Sequence, residues 1–329
     1  MNRRTLLGLT ASAVGSGLVS RAAFAGSATP DAALAGPLKQ FQALPGQTSY
    51  AIEVGGPGSG PVWQAAWLAD TPMFVGSAIK TFILAQFLRD AERGLRSEDD
   101  KLPIDDTIRS PNSPVFQELT GTVSARVVLE AMITHSDNTA TDAAMAQVGV
   151  DRVRGFIADA GLSATKIPGS TRLLFSWLAG APMGVDVGWA GIRKSQAGQN
   201  FGPVRQAIND QVTMMSTSNE FVSYYKRALK GAFFDKPATL TEFRRIQAMA
   251  DAIARVVPPN IAAFAKGGSI DWADFHALSL PGQMVLGATP VTFCFTVNWT
   301  GDDGAIPTVQ AAYMAAVKAV LAQVADAFG

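Results

Sequence analysis

Phe74-Val75-Gly76-Ser77-Ala78-Ile79-Lys80 runs straight into Thr81-Phe82-Ile83-Leu84-Ala85-Gln86-Phe87-Leu88. The second half is apolar on nearly every side, so it reads as a buried helix rather than a surface one. Ser77 falls in its first turn and Lys80 three residues later, so both project from one face. An amine held beside a hydroxyl in a partly desolvated site sheds its proton more readily, and the free amine can take the hydroxyl's proton. The helix N-terminus adds donors and positive partial charge where an oxyanion would form. In outline this is a serine acyl-transfer site with a lysine base. The spacing alone is common, since Ser163–Lys166 and Ser223–Lys226 repeat it.

Upstream, Ser49–Val54 and Val62–Leu68 read as strands joined by a turn at Gly55–Pro61, and residues 31–44 as a helix. Residues 1–25 read as an export signal. Asn2-Arg3-Arg4-Thr5-Leu6-Leu7 is a twin-arginine start, a charge-free run follows to Ser20, and Ala23-Phe24-Ala25 offers a cleavage site after Ala25. This predicts a periplasmic protein with no membrane span after cleavage.

Downstream, residues 100–255 are helical in pattern, with helices at Val123–Ile133, Asn138–Val148, Asp151–Ala160, Thr217–Leu229 and Leu240–Val256. Between Gly161 and Asp210 the periodicity weakens, as expected for a functional or covering loop. Strands return at Ala262–Lys266, Phe275–Leu280, Met284–Leu286 and Val291–Trp299, and a helix from Pro307 to Phe328 closes the chain. The prediction is an α/β fold: an antiparallel sheet built from both chain ends, flanked by helices, with an inserted all-α domain. The expected boundaries are 26–70 and 257–329 for the sheet domain and 71–256 for the helical one, with an irregular insertion at about 161–210.

The 329 residues suffice for a large core, and only 16% are charged. Removing residues 1–25 takes away Arg3, Arg4 and Arg21 and no acid, leaving a net charge near −3. No basic run points to nucleic acid. Cys294 is the single cysteine, so no internal disulfide forms, and with two histidines a zinc site is not expected. No cofactor or metal is implied, and a monomer acting on a small-molecule acyl substrate is expected.

Three motifs stand in order: Ser77-Ala78-Ile79-Lys80, then Ser136-Asp137-Asn138 in a break between helices, then Lys266-Gly267-Gly268-Ser269 ending a strand. In this order the chain resembles the penicillin-recognising serine hydrolases, most closely the class A β-lactamases, across essentially its mature length. Thr139-Ala140 after the second motif also suits that family, and an insertion around 183–210 explains why Lys266 lies farther downstream than usual.

The resemblance implies that Ser77 attacks an amide or ester carbonyl with Lys80 as base. Ser136 passes a proton to the leaving group, and Lys266 supplies positive potential to that hydroxyl and to a substrate carboxylate. It also implies that Asn138 binds a substrate amide, that Gly268 and Ser269 beside Lys266 belong to the substrate-binding motif, and that the backbone N–H groups of Ser77 and Ser269 form the oxyanion hole. Asp137 and His135 are expected to brace the loop, and His276 to line the pocket.

Three departures from the family matter. Class A enzymes release the acyl-enzyme with a glutamate on a loop whose start resembles Thr171-Arg172-Leu173. Five residues after Arg172, where that glutamate would fall, stands Trp177, read as a pocket-lining residue. No glutamate occurs between Glu130 and Glu220, and Asp186 is the only aspartate between Asp159 and Asp210. Gly267 replaces a hydroxyl residue that helps hold the β-lactam carboxylate, though Ser269 can compensate. No arginine follows Arg255, so the guanidinium expected on the later strands is missing. The expected function is therefore an exported serine hydrolase that forms an acyl-enzyme at Ser77, with weak or altered β-lactam hydrolysis. The alternatives are an esterase, amidase or peptidase on a non-β-lactam acyl substrate, and a penicillin-binding sensor that deacylates slowly.

Overall fold

The computed structural model describes residues 29–56 and 60–329. The expected export segment, residues 1–25, lies outside the described residues, as do positions 57–59 of the first turn. Helix α1 (Pro30–Gln42) starts behind Thr29, whose hydroxyl accepts from the Ala32 N–H. Strands β1 (Gln47–Gly55), β2 (Pro61–Trp67) and β3 (Met73–Phe74) follow, and a 3-10 turn at Gly76–Ile79 leads into α2 (Lys80–Glu92). Next come β4 (Lys101–Ile104), β5 (Gly121–Ser124), α3 (Ala125–Thr134), α4 (Asn138–Val148) and α5 (Val150–Asp159). Then follow α6 (Thr171–Leu178), α7 (Gly188–Gln196), β6 (Met215–Ser216), α8 (Ser218–Ala228), α9 (Pro237–Gln247) and α10 (Ile253–Val256). Strands β7 (Ala262–Ala265), β8 (Gly268–Trp272), β9 (Phe275–Leu286) and β10 (Thr289–Thr300) precede the closing α11 (Ile306–Phe328).

The main sheet has the order β2-β1-β10-β9-β7, with β8 also on β9, and every pair is antiparallel. Both chain ends therefore build one sheet, with the helical segments inserted between them. Strand β10 shows why. Phe293, Phe295 and Val297 pack with Phe41 and Tyr313 in the core beneath α1 and α11, whereas Cys294 faces the core of the helical insert. The period-2 alternation of a strand thus feeds two cores from one element. Each large apolar side chain buried this way contributes about 1.5–3 kcal/mol. Cys294 is fully buried, and burial pushes its thiol up to about 11, so it packs and stays protonated. Helix α11 is long and apolar enough to cross a membrane by length and composition, and its inner face is buried against the sheet.

Several elements differ from the sequence expectation. The helix expected from Val123 starts at Ala125, because Gly121–Ser124 pairs with Lys101–Ile104 in a small ladder. The 161–210 stretch holds two short helices, α6 and α7. The helix expected over Leu240–Val256 breaks after Gln247 and resumes at Ile253. Strand β9 continues through Pro281-Gly282, where two strands are expected. In an antiparallel strand a residue's N–H and C=O point the same way, and Pro281 O accepts from Lys266 N, 3.2 Å away. The missing proline N–H therefore faces the break between β7 and β8, where the ladder is already interrupted at Lys266-Gly267. Strand β8 itself has no counterpart in the sequence reading.

Candidate active site

Ser77 sits half-buried in the 3-10 turn and borders a cleft of about 620 Å3. The turn is clamped from two sides. Strand β3 pairs with β6, and Val75 N donates to Met214 O at 2.9 Å. From the sheet, the Asn298 side chain accepts from Phe74 N–H and donates to Phe74 O, both at 2.9 Å. Strand β8 crosses the turn closely enough that two glycines are obligatory. A Cβ on Gly268 would lie 2.0 Å from Val75 O and 2.8 Å from Ser77 N, and one on Gly76, at φ +52°, would lie 2.8 Å from Ser269 N. The backbones of Ser77 and Ser269 are thereby brought side by side.

Lys80 is fully buried, with Nζ 2.6 Å from Ser136 O, 2.7 Å from Asn138 Oδ1 and 3.2 Å from Ser136 Oγ. Its hydrogen bonds among the described residues run to this segment and not to Ser77. Desolvation, followed by the nearby Lys266 charge, pushes its pKa well below the ordinary lysine value. The carbonyl and the amide oxygen only accept, so they take two N–H groups. The Ser136 hydroxyl can accept from an ammonium or donate to a neutral amine, so the site suits either form.

Ser136 adopts φ +58°, a left-handed conformation unusual outside glycine, in the gap between α3 and α4. Asp137 holds it there. One carboxylate oxygen caps α4 at Ala140 N, 2.7 Å, and the other accepts from Val115 N and Phe116 N, each 2.9 Å. That anchors the loop carrying Asn112 and Gln117 on the opposite cleft wall. Asn138 lines the cleft, as the resemblance implies, and also serves inside it. Its oxygen accepts from Lys80 and its nitrogen donates to Pro111 O at 2.7 Å, so it braces the lysine. His135 is exposed on the cleft rim and makes no side-chain hydrogen bond among the described residues, so it braces nothing.

Lys266 follows β7 with Nζ donating to Gly267 O at 2.6 Å, and burial pushes its pKa down to about 7. A second chamber of about 450 Å3 adjoins it, and Ser136 and Ser269 border both spaces. Arg255 of α10 lines that chamber. A guanidinium thus lines the same chamber as Lys266, supplied from α10 rather than from the later strands.

Residues 57–278 match the family model described as the beta-lactamase enzyme family. The chain belongs to that family. Among solved structures it is similar to a β-lactamase from Sphaerobacter thermophilus, at 18% identity and TM-score 0.68, covering 91% of this chain and 97% of that one. A β-lactamase from Xanthomonas campestris is 17% identical at TM-score 0.68, covering 92% and 100%. An ancestral class A β-lactamase is 15% identical at TM-score 0.67, covering 90% and 100%. At such identities the likeness shows the fold alone. No curated protein matches at a significant level.

Within this beta-lactamase family member, α6 carries no acid into the cleft. Asp142, buried in α4, accepts from Thr171 N at 2.6 Å and Arg172 N at 3.0 Å, which pins the start of α6. Thr171, Leu174 and Phe175 consequently line the cleft. Trp177 does not. It falls one turn farther on and lies under Arg205, whose guanidinium carbon is 3.7 Å from the ring centroid. Asp186 is tied to Arg172 at 2.6 Å, holding the base of the insertion.

The one acid lining the cleft among the described residues is Asp271, whose carboxylate meets His276 Nδ1 at 2.9 Å. His276 is itself buried and lines neither space, because β9 is covered on both faces; its Nε2 meets Gly301 O at 2.9 Å. Burial alone would lower its pKa, but the Gly301 carbonyl and Asp271 carboxylate outweigh that and raise it. Sequence reasoning missed Asn298, Asp142, Arg255 and Asp271. Of these only Asn298, a polar residue inside an apolar strand, carried any signal in the sequence.

Proposed function

We propose that this protein is an exported serine hydrolase in which Ser77 is acylated, with β-lactam turnover limited by slow release of the acyl group. The observation that carries the reading is the buried Lys80, its pKa lowered, held against Ser136 and Asn138 beside the Ser77 turn. Neutral Lys80 takes the Ser77 hydroxyl proton as Oγ bonds to the carbonyl carbon. The oxyanion is received by the N–H groups of Ser77 and Ser269. The bond to the leaving group then breaks, and Ser136 supplies the proton that the departing atom takes up, recovering one from Lys80. Release needs a water and a base. No acid from α6 reaches the cleft, so Lys80 serves both halves of the reaction. The twin-arginine start supports export to the periplasm.

The test is intact-protein mass after mixing residues 26–329 with a penicillin and a chromogenic cephalosporin, with Ser77→Ala as control. A lasting adduct that requires Ser77 is expected. Full activity in Ser77→Ala would overturn the reading. A second reading, an esterase, amidase or peptidase on a non-β-lactam acyl compound, is favoured by Gly267, which withdraws a hydroxyl from the carboxylate side. Turnover of esters with neither adduct nor turnover of β-lactams would select it.

A further inference from the structure

A cavity of about 360 Å3 lies outside the acylation machinery, between the 106–120 loop and α7 of the insertion. Its size falls within the range of small-ligand sites, about 300–1,000 Å3. Gln117 borders both this cavity and the catalytic cleft, so the one continues the other past the loop wall. Gly191 and Ile192 form the buried face of α7, where a Cβ on Gly191 would lie 3.3 Å from Phe201 Cζ. Trp189, Arg193 and Gln196 recur at i, i+4 and i+7, so they share a different face, the one that lines the cavity. Arg172 fixes the gap between the two walls. It donates to the Asp106, Thr107 and Arg109 carbonyls of the loop and pairs with Asp186, two residues before α7 begins at Gly188.

The groups left open in this cavity form a matched set. Arg109 lines it from below and is itself buried. Its guanidinium donates to Asp106 Oδ1 at 2.9 Å, Phe116 O at 2.8 Å, Thr120 Oγ1 at 3.0 Å and Gln117 O. Four of its five N–H groups are thereby used, which leaves one Nη2–H open among the described residues. The Trp189 indole N–H and the Arg193 guanidinium have no side-chain partner among the described residues, and no ring or cation stacks on the indole. Glu118 meets no cation there. Arg109 balances Asp106 and Arg193 balances Glu118, so the lining favours neither an anion nor a cation. An uncharged ligand suits it, with an apolar face for the indole and hydroxyls for the flat polar groups of Arg193, Gln117, Gln196 and Glu118. A sugar ring has both: C–H groups on its face and hydroxyls around its edge. We propose that this cavity binds a neutral saccharide of one or two rings, stacked on Trp189 and hydrogen-bonded to Arg193. The site does not depend on acylation at Ser77.

The experiment titrates 15N-labelled protein with cellobiose, maltose or N-acetylglucosamine and follows the indole N–H resonances by NMR. Of the six tryptophan signals, that of Trp189 is identified by its loss in Trp189→Ala. The expected result is a saturable shift of the Trp189 signal with at least one of the three sugars. Arg193→Ala changes an exposed side chain and should weaken that binding at least tenfold with the other resonances unmoved. No saturable shift with any of the three sugars overturns the proposal, as does binding that moves other indoles but leaves Trp189 in place. An affinity unchanged in Arg193→Ala also overturns it. Tighter binding of digalacturonate than of all three neutral sugars would overturn the charge balance, and tetraglycine binding in their place would make this a peptide site instead. None of these readouts requires turnover, so failure here leaves the reading of Ser77 untouched.

Discussion

The Asn298 carboxamide on β10 grips both polar groups of the Phe74 backbone, 224 residues away in the chain and three residues before Ser77. One amide side chain thus ties the sheet to the turn that presents the nucleophile. Asn298→Ala leaves a buried N–H and a buried C=O without partners, at about 1–3 kcal/mol each. We expect a loss of about 2–4 kcal/mol in urea unfolding and acylation slowed at least tenfold. An unchanged acylation rate in the folded variant would show that Phe74 is held by β6 alone.

Gly268 and Gly267 should respond in opposite ways, although they are neighbours. Gly268→Ala drives a Cβ into the backbone of Val75 and Ser77, with no flexible atom to yield. Acylation should fall at least a hundredfold. Gly267→Thr puts its Cβ 3.2 Å from Ala252 Cβ, which a small shift relieves, and 3.9 Å from Leu280 Cδ1, an ordinary contact, and it adds a hydroxyl beside Lys266. Penicillin acylation should rise about threefold to tenfold, within the range of one charge-assisted hydrogen bond. Comparable losses at both positions in a stopped-flow acylation assay would contradict this difference in packing.

A carboxylate supplied from α6 should speed release. Leu174 borders the cleft one turn into the helix, so Leu174→Glu places an acid beside the acyl group. Steady-state penicillin hydrolysis is expected to rise at least tenfold with little change in the acylation rate. Stability should drop by about 2–4 kcal/mol, because the leucine's apolar packing is removed and an acid is buried in its place. If hydrolysis does not change, the missing acid is not what limits release.

The two lysines give the pH dependence a sign. Lys266 has a folded pKa of about 7 against an ordinary value near 10.5, so the unfolded chain binds more protons between those values. The cost of burying its charge is therefore full below pH 7 and fades as pH rises toward 10.5. Lys266→Met should raise stability at pH 6, by about 2 kcal/mol or more, and the gain should shrink by pH 9 in parallel melts. In the unaltered protein, KM for an anionic substrate should climb above pH 7 as Lys266 loses its proton. A flat KM from pH 6 to 9 would exclude Lys266 from anion binding.

Much of this molecule is readable before folding because local chemistry repeats at short range. Alternating apolar residues mark β10, a solid apolar run marks α2, and the three motifs fall at the breaks between such elements. Ser77 and Lys80, three apart on one turn, share a face, and Ser136 is singled out by the order of the three motifs, which resembles that of the penicillin-recognising serine hydrolases. The elements that sequence reading lost are those whose polar groups are satisfied by distant chain. Strand β8 has an apolar-poor sequence and is a strand only because β9 lies beside it. Pro281 survives mid-strand only because its absent N–H meets a gap in the ladder.

Element order, the acyl-transfer motifs and the lack of a glutamate between Glu130 and Glu220 belong to the linear chain and need no fold to be known. Which side chains meet was settled by tertiary structure alone. It gave Asn138 a second task as a brace for Lys80, carried Trp177 away to Arg205, and buried His276 behind Asp271. It also set Arg255 of α10 on the chamber that Lys266 lines. The reason is one of range. Helix and strand periods fix a side chain's direction relative to its own element, while its direction relative to the cleft is set by anchors such as Asp142 on Thr171, formed when the chain closes on itself.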